Sequence, residues 1–121
     1  LGASESQVFG IELLTTFILI SALLHFFVQN NEKVIRASVA PDGKVGPILV
    51  EETGPFAIGL IMSALCMVSS QMSGGSMNPF RSISSAYVSD IWTSQWIYCA
   101  APMTAAVLAA SISKAIDTYR S

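Results

Sequence analysis

The residues with the most chemical potential cluster in one stretch, SGGSMNPFRS, residues 73–82. Arg81 is the only charged side chain between Glu52 and Asp90. Its guanidinium offers a rigid fork of donors and stays charged at any physiological pH. Asn78 stands directly before Pro79. This is the arrangement of an N-cap followed by proline at the first helical position, where the missing N–H costs nothing. Gly74 and Gly75 come just before, so residues 74–77 are expected to run extended into that helix start. Their carbonyls, from Gly74 to Met77, would then form a row of acceptors. Placed on a water-filled constriction, these groups supply fixed donors and acceptors.

Bond-making chemistry finds no support. The single histidine, His25, lies inside an apolar run, and no Ser-His-Asp, paired-carboxylate or metal-ligand constellation is present. Cys66 and Cys99 lack zinc or redox spacing and read as small buried hydrophobes rather than a disulfide. No cofactor and no metal are expected. With a net charge of −2, no basic cluster and no interleaved aromatic platform, the chain is not expected to bind nucleic acid.

The elements that must position these residues are legible in the hydropathy. Only 12% of the 121 residues are charged and 52% are hydrophobic. Three apolar stretches, beginning VFGIELLTTF, GPFAIGLIMS and IWTSQWIYCA, each approach the roughly 20 residues that cross a hydrocarbon core. Spans are expected at about 8–29, 54–73 and 91–115. None shows the polar face of a soluble amphipathic helix. Residues 73–90 are too apolar for an exposed loop and too short for a fourth span, so a half-helix at about 79–88 is expected to dip back into the membrane. Irregular backbone at that depth is tolerated only when protein or a water-filled path surrounds it. Arginine in lipid is costly for the same reason. The expected fold class is an all-α membrane protein with three transmembrane helices and one re-entrant half-helix. An N-capped helix in a soluble core, with an exposed arginine, is the competing reading that the three flanking spans disfavour.

The segment 30–53 holds Lys33, Arg36, Lys44, a Pro41-Asp42-Gly43 turn, and Glu51 and Glu52. It reads as a solvated loop whose acidic pair is a solvated end rather than a metal site. Three spans put this loop on the same side as Lys114 and Arg120, and the positive-inside rule makes that side cytoplasmic. His25, near the cytoplasmic end of its span, reads as reaching the interface rather than sensing pH. Ala101, Ala105, Ala109 and Ser113 offer a small-residue face for close helix approach. The chain opens on LGASESQ, without the basic region of a signal peptide. It is expected to be a fragment, a processed product or the ordered part of something longer.

The segments GIELLTTF, GPFAIGL, SGGSMNPFRS and QWIYCAAP, in this order and spacing, resemble the aquaporin (major intrinsic protein) family. Its members have six spans built as two inverted repeats, each with a half-helix that begins at Asn-Pro-Ala. Residues 1–121 resemble the second repeat, spans four to six with the second re-entrant loop. The resemblance implies an integral, multi-pass channel in a lipid bilayer, passing water and small neutral solutes such as glycerol while excluding protons and ions. Asn78 would be the pore-centre donor. Gly74, Gly75 and Ser76 would present carbonyls along a single-file path, and Arg81 would be the filter arginine with Cys66 and Gly75 beside it. Glu12 would be the buried acid that accepts loop N–H groups, and Pro79 would start the half-helix. Phe80 departs from the family's usual alanine. Cys66 stands where water-selective members usually carry histidine, and with Gly75 this implies a wider filter. Ser82, Ala86 and Tyr98 resemble the water-conducting type instead. The missing first repeat would come from the same protein or another chain, and a homotetramer follows from the resemblance alone. A non-conducting structural subunit of a larger assembly is the alternative.

Overall fold

The computed structural model describes residues 2–29 and 53–120. The loop expected over 30–53, with Lys33, Arg36, Lys44, Glu51 and Glu52, lies outside the described residues apart from Thr53. Helix α1 (Glu5–Leu23) continues into a π-helical turn (Leu24–Gln29). Helix α2 (Thr53–Ser73), the short α3 (Pro79–Ser89) and α4 (Gln95–Arg120) follow. The described residues form helices and no strands. Three helical stretches are long and apolar enough to cross a membrane: Glu5–Phe26, Gly54–Ser73 and Gln95–Tyr119. With 11 residues, α3 reaches about 16 Å, roughly half a hydrocarbon core.

Local signals set the helix ends. Ser4 Oγ accepts from the Gln7 N–H, and the Gln7 side chain accepts from the Ser4 N–H at 2.9 Å. This capping box starts α1 at Glu5, ahead of the apolar run at residue 8. Helix α4 starts later than its apolar run. Ser94 adopts φ 53°, and Gln95 N–H donates to the Trp92 carbonyl, so residues before Gln95 form a turn. The C-cap of α3 is Asp90 at φ 52°.

The core lies between α1 and α4, the most extensively packed pair. Ala101, Ala105 and Ala109 are buried on α4, and Glu12, Thr15, Thr16 and Leu19 are buried on α1. Small side chains at four-residue spacing let two helix backbones approach closely. The two helices run parallel. Phe9 stacks on Trp96 with ring centroids 6.1 Å apart at one end. Ser21 and His25 share a small cavity with Ile112 and Ile116 at the other. Parallel first and third spans are what an intervening span requires. Helix α3 packs on α4 and leaves Phe80, Ile83, Tyr87 and Val88 exposed along one side.

Candidate pore-lining site

Between α2 and α3 the chain turns sharply. Gly74 has φ 79°, Gly75 φ 64° and Met77 φ 49°. The extended run expected over 74–77 is therefore absent, and a turn with three left-handed residues replaces it. The reason lies in Glu12. Its Oε1 accepts from the Ser76 N–H at 3.0 Å and its Oε2 from the Met77 N–H at 2.8 Å. Consecutive N–H groups of an extended chain point to opposite sides. A residue with positive φ makes them converge into a concave anion-binding nest. The wholly buried carboxylate thus holds Met77 in a conformation that costs a non-glycine residue about 1–2 kcal/mol.

The other polar groups of the turn are engaged in series. Gly74 N–H donates to the Ser70 carbonyl at 3.2 Å, and Gly75 N–H to Ser73 Oγ at 3.2 Å. The Ser73 carbonyl accepts from Tyr98 Oη at 3.0 Å. Arg81 Nη1 donates to the Gly75 carbonyl at 2.7 Å, and the Cys66 thiol lies 3.8 Å from the same oxygen. Ser76 Oγ donates to the Asn78 carbonyl at 2.9 Å and pairs with Ser82 Oγ. The carbonyls of Gly74, Ser76 and Met77 accept no hydrogen bond from a described residue. Of the four carbonyls expected as acceptors, that of Gly75 is instead held by Arg81.

Asn78 caps α3. Its Oδ1 accepts from the Phe80 N–H at 2.9 Å, and Pro79 occupies the first turn. This bond fixes the amide oxygen and leaves the amide nitrogen as an available donor. Beside it lies an apolar cavity of about 290 Å³ bordered by Thr16, Ile20, Met77, Phe80, Pro102 and Met103. Phe80 is 78% exposed there. On the other side, Arg81 faces a polar cleft of about 390 Å³ with Gly74, Ser76, Ser85, Ser89 and Gln95.

The structure therefore joins Cys66, Gly75 and Arg81 at one carbonyl, and Glu12 to Ser76 and Met77. Gly75 does not widen this site. A Cβ built there would lie 3.1 Å from Ser69 Oγ and 3.3 Å from the Cys66 Cα and carbonyl oxygen. Its bare α-carbon faces α2, so the missing side chain serves helix-to-turn packing. Replacing Gly75 with alanine is expected to cost about 2 kcal/mol, from positive φ plus a clash with helix backbone that cannot yield. At Gly74 a Cβ meets nothing within 4 Å, so Gly74→Ala should cost about half as much. Thermal unfolding midpoints in detergent would order the two variants.

Ser73 and Tyr98 are structural partners of the turn that sequence reasoning did not find. Tyr98 sits 25 residues from Ser73, and no spacing rule links a helical tyrosine to a distant carbonyl.

The sequence profile described as Major intrinsic protein matches residues 2–113. The chain belongs to the major intrinsic protein family. It is an integral, multi-pass membrane protein. Among major intrinsic proteins it is 33% identical to Aquaporin NIP4-1 of Oryza sativa subsp. japonica over 94 residues, covering 78% of this chain and 32% of that protein. It is 29% identical to Aquaporin A of Dictyostelium discoideum over 115 residues, covering 95% and 36%. It is 34% identical to Probable aquaporin TIP3-2 of Arabidopsis thaliana over 111 residues, covering 92% and 36%. The chain thus spans about a third of the length of these relatives. No solved structure matches it significantly.

Proposed function

We propose that this chain forms the second half of a passive channel for water and small neutral solutes, and performs no catalysis. The observation that supports the reading is the Asn78-capped amino end of α3, which lies beside two membrane-length helices, α1 and α4, with its amide nitrogen available. A half-helix aims the positive end of its dipole at that point. With Arg81 nearby, the field repels protons and other cations, while aligned donors and acceptors carry a neutral solute. In this reading Asn78 is the pore-centre donor. Gly74 and Ser76 offer carbonyls to the solute, and Arg81 and Cys66 form part of the filter. Glu12 and Pro79 support the turn. The thiol of Cys66 leaves more room than a histidine, which favours passage of glycerol as well as water.

Residues 1–121 act as one repeat, with 30–53 as a cytoplasmic loop. A complementary three-span half, from the same protein or another chain, must close the lane against the exposed side of α3. Assembly as a homotetramer belongs to the same proposal.

The test is reconstitution of the natural full-length protein in liposomes. Osmotic shrinkage is expected to be about tenfold faster than in protein-free vesicles, with no added proton leak. Shrinkage at the protein-free rate would favour the non-conducting, structural subunit instead.

A further inference from the structure

We infer that Tyr98 is a positioning residue for Arg81, acting through Ser73 and Gly75. This rests on the channel reading, in which Arg81 borders the solute's path. The connection is a chain of three hydrogen bonds. Tyr98 Oη donates to the Ser73 carbonyl at 3.0 Å, Gly75 N–H donates to Ser73 Oγ at 3.2 Å, and Arg81 Nη1 donates to the Gly75 carbonyl at 2.7 Å.

The physical need for such an anchor follows from the backbone. Ser73 is the last residue of α2, so its carbonyl has no helical partner. Gly74 and Gly75 follow in left-handed conformations, the softest hinge a chain can offer. Packing does not hold that hinge from the α4 side, because α2 and α4 make few direct contacts. The phenol bridges the gap between them, and its hydroxyl is the atom that reaches Ser73. Glu12 fixes the far end of the turn at Ser76 and Met77. Tyr98 fixes the near end, so the Gly75 carbonyl between them is held in place. That carbonyl in turn decides where the Arg81 guanidinium rests.

The test uses the full-length protein in liposomes, with Tyr98→Phe, which deletes only the hydroxyl, and Ser73→Ala, which deletes the middle link. Each is expected to raise the ratio of glycerol to water permeability about fivefold, the factor that one hydrogen bond of ordinary net strength is worth. In an Arg81→Ala background the same substitutions should leave the ratio unchanged, because residues acting through one group are not additive. A purely structural role would change the ratio equally in both backgrounds, and that result would overturn the inference. A second readout needs no conduction. In a Cys99→Ser background, Tyr98→Phe should speed maleimide alkylation of Cys66 several-fold, because the Cys66 thiol sits against the Gly75 carbonyl. Unchanged Cys66 reactivity overturns the positioning role itself, as does an unchanged permeability ratio in a conducting protein. Wild-type vesicles that shrink no faster than protein-free ones overturn the channel reading and the transport role of Tyr98 with it.

Discussion

Glu12→Ala is expected to lose most of the properly folded protein from the membrane and to bring the remainder close to zero permeability. The substitution leaves the Ser76 and Met77 N–H groups without an acceptor in a buried site. Each unsatisfied buried group costs about 1–3 kcal/mol. The left-handed Met77 also loses the contact that holds it. The two groups together, about 2–6 kcal/mol, are a large part of the roughly 5–15 kcal/mol that stabilises a typical domain. Glu12→Gln should fall between wild type and alanine. Its amide oxygen still accepts one N–H, while its NH₂ group meets the other donor head-on. Thermal aggregation in detergent, followed by size-exclusion chromatography, would read the order wild type, glutamine, alanine. An alanine variant that melts with the wild type would show that Glu12 does not hold the turn.

Arg81→Ala is expected to raise cation and proton leak about a hundredfold in the full-length protein while water still passes. At about 6 Å and an effective dielectric near 20, one unit charge raises the energy of a passing cation by about 3 kcal/mol. In rate this is roughly two powers of ten. The substitution also frees the Gly75 carbonyl, which Arg81 Nη1 holds at 2.7 Å, so larger neutral solutes should enter more readily. Arg81→Lys separates the two effects. Lysine keeps the charge but not the planar fork, so leak should stay low while glycerol uptake rises. A pH-sensitive dye inside the vesicles and a glycerol gradient would measure both quantities on one preparation. A leak unchanged in Arg81→Ala would place the arginine away from the path.

The spans and the half-helix were readable because their signals are local. Apolar length marks α1, α2 and α4, and Asn78-Pro79 marks the start of α3 within two positions. The structure adjusts the ends through the Ser4–Gln7 capping box and the turn at Ser94, which hydropathy alone does not weigh against a continuing apolar run. The resemblance to the family named Glu12 as a partner of the turn. Its two hydrogen bonds, across 64 and 65 residues, then force the backbone away from the extended form.

The amino-acid sequence by itself determined that this chain crosses a membrane, breaks its helix at Gly74-Gly75 and restarts it at Pro79. Hydropathy, glycine and an Asn-Pro cap each act within a few residues. Tertiary structure alone decided that Met77 is left-handed, that Gly75 faces α2, and that Tyr98 ties α4 to the end of α2. These outcomes depend on groups from separate helices meeting at one turn. A pattern along the chain does not encode which distant carboxylate or hydroxyl will satisfy a buried N–H or carbonyl; packing of the three spans does.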